Sequence, residues 1–333
     1  MESNLVRILD QLPKCRVLVL GDFLLDEFVF GQISRVSREA PVLILNYRDT
    51  ERTPGGGANT LANVHALGAE ALPLGFLGSD EAGDHLLAEL PPSMDCSAIE
   101  RPPGWQTTRK TRILAGSPYS FRQQVIRIDR EHPFPLNQNQ EAALVKRMEE
   151  RAAGADAVIV SDYSLGTVTP RVREAAARLA HQHHIPIVAD SRFQPAAYRG
   201  FTALTPNISE LEAALELDLQ SDPGEVLRIG QDIRHDWKLE ALLVTQGKRG
   251  MVLFDDDGIC EVPAFGSDEV SDVTGAGDTV IATFTSALAA GFGYRDSARL
   301  ANCAAGLVVM KRGTAQVSAA EIRQALLRQQ ENL

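Results

Sequence analysis

Asp272-Val-Thr-Gly-Ala-Gly-Asp278, continuing without a break into Thr279-Val-Ile-Ala-Thr-Phe-Thr-Ser-Ala-Leu-Ala-Ala290, reads as a glycine turn feeding a long helix. The first backbone N–H groups of a helix have no intrahelical partner, and the helix dipole favours negative charge beside them. Gly275, Ala276 and Gly277 are therefore placed to aim amides at one anion. Asp278 falls in the first helical turn, where a carboxylate can take a proton from an attacking hydroxyl. A phosphate cradle beside a base points to phosphoryl transfer. The plainer alternative is an N-capped helix, with Thr274 as the cap and Asp278 complementing the dipole. Local spacing alone does not separate the two.

Upstream of this turn the chain alternates regularly. Helix patterns at 138–152, 170–182 and 223–236 interleave with the apolar runs Ala157-Val-Ile-Val-Ser161, Pro186-Ile-Val-Ala-Asp190, Thr202-Ala-Leu-Thr205 and Ala241-Leu-Leu-Val-Thr245. Such βα repetition predicts a doubly wound, mostly parallel sheet flanked by helices. The first strand is Arg16-Val-Leu-Val-Leu-Gly21, and a hairpin is expected around Asp255-Asp-Asp-Gly258. Asp22 and Asp26 follow the first strand, and Asp162 and Asp190 end two others, at the edge where open α/β sheets bind ligands. For Asp22, turn chemistry is the stronger alternative. His181, His183 and His184 cluster at a predicted helix end, where cations are favourable without any metal.

Two regions break the βα rhythm. Leu25–Gly31 and Pro41–Tyr47 are β-rich with no helix between them, and so is 104–130, which carries Arg109, Lys110, Arg112 and Arg127. They predict a β flap from about 25–48 and 105–130 on a single domain spanning 1–333. Its basic residues are either partners for an anionic substrate or solvated edge charges. Between them, Pro54-Gly-Gly-Gly-Ala-Asn59 lets backbone approach a ligand at a helix start, and Asn59 offers both donor and acceptor to a sugar hydroxyl. Neither a Walker loop nor a dinucleotide fingerprint is completed here or at Gly275. Asn207 and Glu210 stand one turn apart at another helix start, a pair suited either to a hydrated Mg²⁺ ion or to capping.

Composition narrows the class. The chain has 333 residues, 44% of them hydrophobic and 23% charged, with a net charge of -11. An acidic balance argues against a general nucleic-acid or anionic-membrane binder. No apolar run suffices for a membrane span and no secretory leader pattern opens the chain, so a cytoplasmic protein is expected. Cys15, Cys96, Cys260 and Cys303 are widely spaced and read as reduced thiols.

Taken together, Gly56-Gly-Ala-Asn59 with Gly68 and Gly78, and Asp272 through Asp278, resemble the two signatures of the PfkB (ribokinase-like) carbohydrate kinases, with Asn207-x-x-Glu210 between them. The resemblance spans about 16–318 and implies a ribokinase-like sheet with a β lid. Thr283 departs from the small residue usual in that helix. Gly21-Asp-Phe-Leu-Leu-Asp26, Ser34 to Val42, Gln123 to Asp129, Leu204 to Leu211 and Gly306 to Ser318 further resemble the kinase module of the heptose 7-phosphate kinases, which phosphorylate the anomeric hydroxyl of D-glycero-D-manno-heptose 7-phosphate in ADP-heptose synthesis. The His-x-Gly-His of a fused nucleotidyltransferase is absent, so adenylyl transfer is expected from another polypeptide, and Asp190-Ser-Arg192 replaces an expected Asp-x-Lys.

Carried onto matching positions, the resemblance implies Asp278 as the base and the amides of Gly275, Ala276 and Gly277 as the anion hole. It implies Asp22, Asp26, Gly56, Gly57 and Asn59 on the sugar, and Asn207, Thr245, Gly247 and Asn302 along ATP. Glu210 with Asn207 would organise Mg²⁺, and a monovalent cation is a further candidate. Arg112 and Arg127 are the expected partners of a distal sugar phosphate, since guanidinium forks match phosphate oxygens. Exposed flap strands predict a homodimer joined through the lid.

Overall fold

Val17 and Val19 turn to one side of a sheet and Leu18 and Leu20 to the other, and this alternation divides the interior into two cores. The structure is a computed structural model that describes residues 2–116, 123–131, 136–220, 222–266, 272–311 and 313–331; residues 117–122 of the second flap stretch lie outside the described residues. Its first half contains α1 (Glu2–Gln11), β1 (Arg16–Val36), β2 (Leu43–Gly56), α2 (Gly57–Ala66), β3 (Glu70–Phe76), α3 (Glu81–Glu89), β4 (Ile99–Glu100), β5 (Thr108–Gly116) and β6 (Gln123–Arg130). The regular part follows as α4 (Gln138–Ala152), β7 (Ala157–Asp162), α5 (Pro170–His183), β8 (Ile187–Ser191), β9 (Ala203–Leu204), α6 (Ile208–Leu215), α7 (Pro223–Asp236) and β10 (Ala241–Thr245). The hairpin β11 (Met251–Asp255) and β12 (Gly258–Val262), then α8 (Ala276–Ala289), α9 (Tyr294–Val308) and α10 (Ala319–Glu331), complete it.

The main sheet has the order β12-β11-β10-β9-β8-β7-β1-β3-β4. It is parallel from β4 through β10, and the β11–β12 hairpin extends it antiparallel. Helices α4 to α7 cover one face through Leu144, Val172, Leu179, Leu211 and Val226. Helices α2, α3, α8 and α9 cover the other through Leu61, Leu86, Ile281, Phe284 and Ala301. Strand order reverses at β1, whose neighbours are β3 and β7, so the crevice at its C-terminal end is the place where open α/β sheets take ligands.

The lid differs from the expected insertion. β1 does not stop at Gly21; it runs on as one strand to Val36, leaving β3 and β7 and pairing with β2 on one side and β5 on the other. The lid is therefore a mixed sheet in the order β2-β1-β5-β6, with β1 and β5 parallel. The Pro54-Gly-Gly-Gly segment belongs to the same sheet: Pro54, Gly55 and Gly56 pair with Leu25, Leu24 and Phe23, and β2 passes directly into α2. Among the described residues no helix is long and apolar enough to cross a membrane, and all four cysteines are free.

Candidate active site

α8 begins at Gly275, which has φ +79° and gives the helix no side-chain cap. Thr274 is thus not the cap. By contrast α3, α4, α5, α6 and α7 are capped by Asp80, Asn137, Thr169, Asn207 and Asp222. Asp272 holds the turn, accepting from the N–H of Thr274 (2.9 Å) and of Gly313 (3.0 Å). The left-handed backbone suits glycine, and a Cβ at Gly275 would come within 2.6 Å of Asn59 Nδ2. One of the three expected anion-hole amides is otherwise engaged: the Ala276 N–H donates to the Val273 carbonyl (3.2 Å), which narrows the hole to Gly275 and Gly277.

Asp278, 3% exposed, lies in a cage of donors. Asn59 Nδ2 donates to Oδ2 (2.8 Å), while Tyr163 Oη (3.1 Å) and Thr60 Oγ1 (3.3 Å) donate to Oδ1. Burial disfavours the charged carboxylate and pushes its pKa up to about 7, against the pull of the Asn59 and Tyr163 hydrogen bonds. A base poised there is matched to proton abstraction near neutral pH. Asn59 is itself oriented, since its Oδ1 accepts from Asn63 Nδ2 (3.2 Å) and Gln316 Nε2 (3.3 Å). Its donor therefore serves the base, where the sequence had assigned it to the sugar. Thr60 and Tyr163 escaped sequence reading. The available signals were a hydroxyl beside Asn59 and an aromatic hydroxyl just past the β7 strand end.

On the sugar side, Asp22 requires a correction. Its two oxygens accept the N–H groups of Tyr163 (2.9 Å), Leu165 (3.0 Å) and Thr167 (3.1 Å), so the carboxylate clamps the loop after β7 and is not left for a sugar. That clamp fixes Tyr163. Gly56, with φ +56°, forms the uncapped start of α2, and Gly55, Gly56 and Gly57 let β2 lie against Leu24, Asp26 and Phe23. Asp26 is buried and ion-paired with Arg112. Burial nevertheless raises its pKa, outweighing the Arg112 charge. Arg112 and Arg127 face each other in register on β5 and β6, but Arg112 is committed to Asp26, and Arg127 donates to Asp129 (2.9 Å). Their expected freedom to bind a distal phosphate is not what the geometry gives.

On the nucleotide side, Asn207 and Glu210 form a reciprocal capping box: Asn207 Oδ1 accepts from Glu210 N (2.9 Å) and Glu210 Oε2 from Asn207 N (2.9 Å). Asn207 also bridges to Thr245, whose N–H donates to the Pro206 carbonyl (3.0 Å). Gly247 follows at φ +57° in an open turn. Asn302 is buried on α9 and donates to the Pro263 carbonyl (2.8 Å), tying down the segment after β12. Asp190, at the end of β8, links the two halves. Burial first, then the charges of Glu210 and Asp278, raise its pKa well above the usual carboxylate range, and Glu210 is raised by burial as well. Among the described residues no three acidic, histidine or cysteine side chains converge on a metal position. Two crowded carboxylates nonetheless fit a divalent cation that keeps waters and phosphate oxygens as its other ligands.

A separate cavity of about 580 Å³ lies at the opposite edge of the sheet, lined by His181, His184, Glu240 and Tyr294. It sits at the N-terminal ends of β8 to β10, away from Asp278 and the glycine turns.

A buried carboxylate caged by donors at an uncapped helix start, at the switch point of a parallel sheet under a β lid, fits a small-molecule phosphotransferase with an alcohol acceptor. The chain belongs to the pfkB family of carbohydrate kinases, whose model matches residues 23–321. It is 40% identical over 308 residues to the bifunctional protein HldE of Geobacter metallireducens, covering 92% of this chain and 61% of that protein. It is also 40% identical over 323 residues to the HldE of Pseudomonas aeruginosa, covering 96% of this chain and 65% of that one. The chain thus spans less than two thirds of the length of these relatives. Among solved structures, Arabidopsis thaliana ribokinase complexed with ribose and ATP (TM-score 0.72, 17% identity) and Escherichia coli phosphofructokinase-2 in complex with potassium (TM-score 0.73, 19% identity) share the fold. Each alignment covers 94% of this chain and 98% of the other.

Proposed function

We propose that this chain transfers the terminal phosphoryl group of ATP to the anomeric hydroxyl of D-glycero-β-D-manno-heptose 7-phosphate, giving the 1,7-bisphosphate of ADP-heptose synthesis. The observation that carries the kinase chemistry is the Asp278 cage at the open end of α8. The motifs shared with heptose 7-phosphate kinases, and 40% identity to bifunctional HldE proteins over more than nine tenths of the chain, support this particular sugar.

In this reading Asp278 takes the hydroxyl proton as the sugar oxygen forms its bond to the terminal phosphorus. The bond from that phosphorus to the bridging oxygen breaks, and ADP leaves. Asn59, Thr60 and Tyr163 hold the carboxylate in line. The amides of Gly275 and Gly277 take up charge on the moving phosphoryl group, a step in which positioning and electrostatics carry the rate. Asn207, Thr245 and Gly247 border the nucleotide. Asp190 and Glu210 would hold Mg²⁺, which neutralises phosphate charge when bound. Asp26, held by Arg112, accepts from sugar hydroxyls beneath the lid.

The lid also supports a homodimer. Val36, Tyr47, Ile126 and Ile128 are exposed large apolar side chains on its strands, Tyr47 at 66%. Exposed apolar side chains on the edge strands of a sheet favour pairing with another chain. Sedimentation at micromolar concentration checks this: the wild type is expected as a dimer and Ile126→Glu as a monomer, and a monomeric wild type sinks the idea.

A panel of heptose 7-phosphate, ribose, fructose and fructose 6-phosphate, with ATP and Mg²⁺, tests the substrate. Heptose 7-phosphate is expected to exceed the others in kcat/KM by about 100-fold or more, since lost polar contacts in a built site are costly. Preference for an unphosphorylated sugar would overturn the assignment.

A further inference from the structure

We propose that Lys110, within range of the Arg192 charge, is the subsite for the phosphate already carried by the sugar, the role that the family resemblance leads us to expect of Arg112 and Arg127. This rests on the reading of the chain as a kinase of a phosphorylated sugar. Five other cations of the lid are already engaged: Arg112 holds Asp26, Arg127 holds Asp129 (2.9 Å), Arg52 holds Glu27 (3.0 Å) with Arg109 3.8 Å from the same carboxylate, and Arg130 donates to Thr111 Oγ1 (3.0 Å). The nearest carboxylate oxygen to Lys110 is that of Glu131, a half-exposed side chain, at 3.5 Å. That is beyond the length of a charge-assisted hydrogen bond.

Lys110 is buried on the sugar-facing side of the lid, in register with Asp26 on β1 and Asp129 on β6. Its Nζ stands 5.3 Å from the centre of the Tyr163 ring, and the hydroxyl of that ring is bonded to the base. Lys110 and Asp278 are thus separated by one aromatic ring, comparable to the span of a sugar between its reacting hydroxyl and a distal substituent. Arg192 follows the end of β8: its backbone N–H donates to the carbonyl of Asp162, the residue before Tyr163, and its exposed guanidinium lies 5.8 Å from the centre of the Phe193 ring. Burial and then the Arg192 charge lower the Lys110 pKa, so two cations are held near one another at a cost that a phosphate dianion would relieve. A phosphate at Lys110 places the far end of the sugar there and its anomeric hydroxyl at Asp278. The terminal phosphate of ATP must instead lie at the α8 start.

Lys110→Met, which keeps the stem of the side chain, and Lys110→Arg, which keeps the charge, test the subsite in the full chain. Lys110→Met is expected to raise KM for heptose 7-phosphate at least about 10-fold more than KM for the unphosphorylated heptose, with Lys110→Arg close to wild type, from the worth of a charged hydrogen bond. Equal changes for both sugars, or a change confined to KM for ATP, would overturn the subsite. Should Lys110→Met fail to fold, inorganic phosphate is the second probe. It is expected to compete with heptose 7-phosphate in the wild type and to compete more weakly in Arg192→Gln; competition against ATP alone overturns the proposal. The two readings fail separately. No turnover of heptose 7-phosphate, with a Lys110→Met effect on fructose 6-phosphate, removes the sugar and keeps the subsite. Good turnover of heptose 7-phosphate that Lys110→Met leaves unaltered does the reverse.

Discussion

Tyr163→Phe isolates how the protein sets its base. The ring stays beneath Lys110 and only the hydroxyl that donates to Asp278 Oδ1 at 3.1 Å is lost. That bond favours the carboxylate, so removing it raises the Asp278 pKa above its value of about 7. Hydrogen bonds to charged groups are worth about 1.5–3 kcal/mol, and 1.36 kcal/mol corresponds to one pH unit. At 3.1 Å this one is long for O–H···O⁻, so the low end applies and the shift is about one pH unit. Catalysis needs the deprotonated form, hence the acid limb of kcat/KM moves from about pH 7 to about pH 8. At pH 7 the active fraction falls from about a half to about a tenth, a loss of about 5-fold that is recovered by about pH 9. Initial rates of ADP release at low sugar concentration, taken across that range, read the limb directly. A rate that drops uniformly with the limb unmoved would refute the reasoning, because the hydroxyl would then be positioning substrate and not tuning the base.

Other substitutions separate chemistry from architecture. Asp278→Asn should lower kcat by roughly 10²–10⁴-fold, and near-wild-type turnover would dismiss Asp278 as the base. The same change should stabilise the fold at pH 8. A carboxyl raised from 3.8 to about 7 binds its proton more tightly when folded, so its cost is absent below about pH 4, grows as pH rises to about 7 and reaches at most about 4 kcal/mol above that. Thermal melts at pH 4 and pH 8 check this, and a gain in melting temperature at pH 4 equal to that at pH 8 would contradict it. Gly275→Ala should lose about 1–2 kcal/mol of stability to its left-handed backbone and also lower kcat by displacing Asn59; unchanged kcat would show that the Asn59 contact is dispensable. Arg112→Ala leaves Asp26 buried without its partner and should cost about 3–5 kcal/mol in denaturant titration, and Arg127→Ala, from a more exposed pair, about 0–1 kcal/mol. Comparable losses for the two would mean the Asp26 pair is not buried as described.

From Gln138 to Thr245 the elements were readable almost to the residue, because each is a single run with one period and one set of neighbours. Asn137, Thr169 and Asp222 announce α4, α5 and α7, and the buried strands between them stop at turn residues. β1 was misread because it changes partners without changing conformation. Gly21-Asp22 looks like a strand end, but Asp22 pairs with Phe76 of β3 and its carboxylate is consumed by three backbone amides of another loop. The glycines of Pro54 to Gly57 were read as room for a ligand, whereas the close approach they allow is to the protein itself: a side chain there would run into Leu24, Asp26 or Phe23. The two glycine stretches and Asp278 stood out in the sequence because a glycine turn running into a helix is a local pattern, although that pattern alone fits a capped helix as well. The allotment of partners was not. Whether Arg112 meets a substrate or Asp26 depends on the register of β1 against β5, and Tyr163 reaches Asp278 only because β7 ends opposite the start of α8.

The carboxylates that matter all shift in one direction. Asp278, Asp190, Glu210 and Asp26 are each raised chiefly by burial, although Asp26 has Arg112 against it and Asp278 has three donors. A fold selected for stability alone would leave such groups in water or give each a buried cation. Here the native state binds protons that the unfolded chain would release, so the site costs stability increasingly as pH rises toward neutrality. The same strain makes the site receptive. Any ligand that brings hydroxyl donors to Asp26 and Asp278, or positive charge to Asp190 and Glu210, stabilises the carboxylates and expels their protons. Binding of sugar should therefore release protons near pH 7, where Asp278 titrates, binding of nucleotide with its cation should release protons from Asp190 and Glu210, and each should ease the other's binding, because both relieve the repulsion that runs from Glu210 through Asp190 to Asp278.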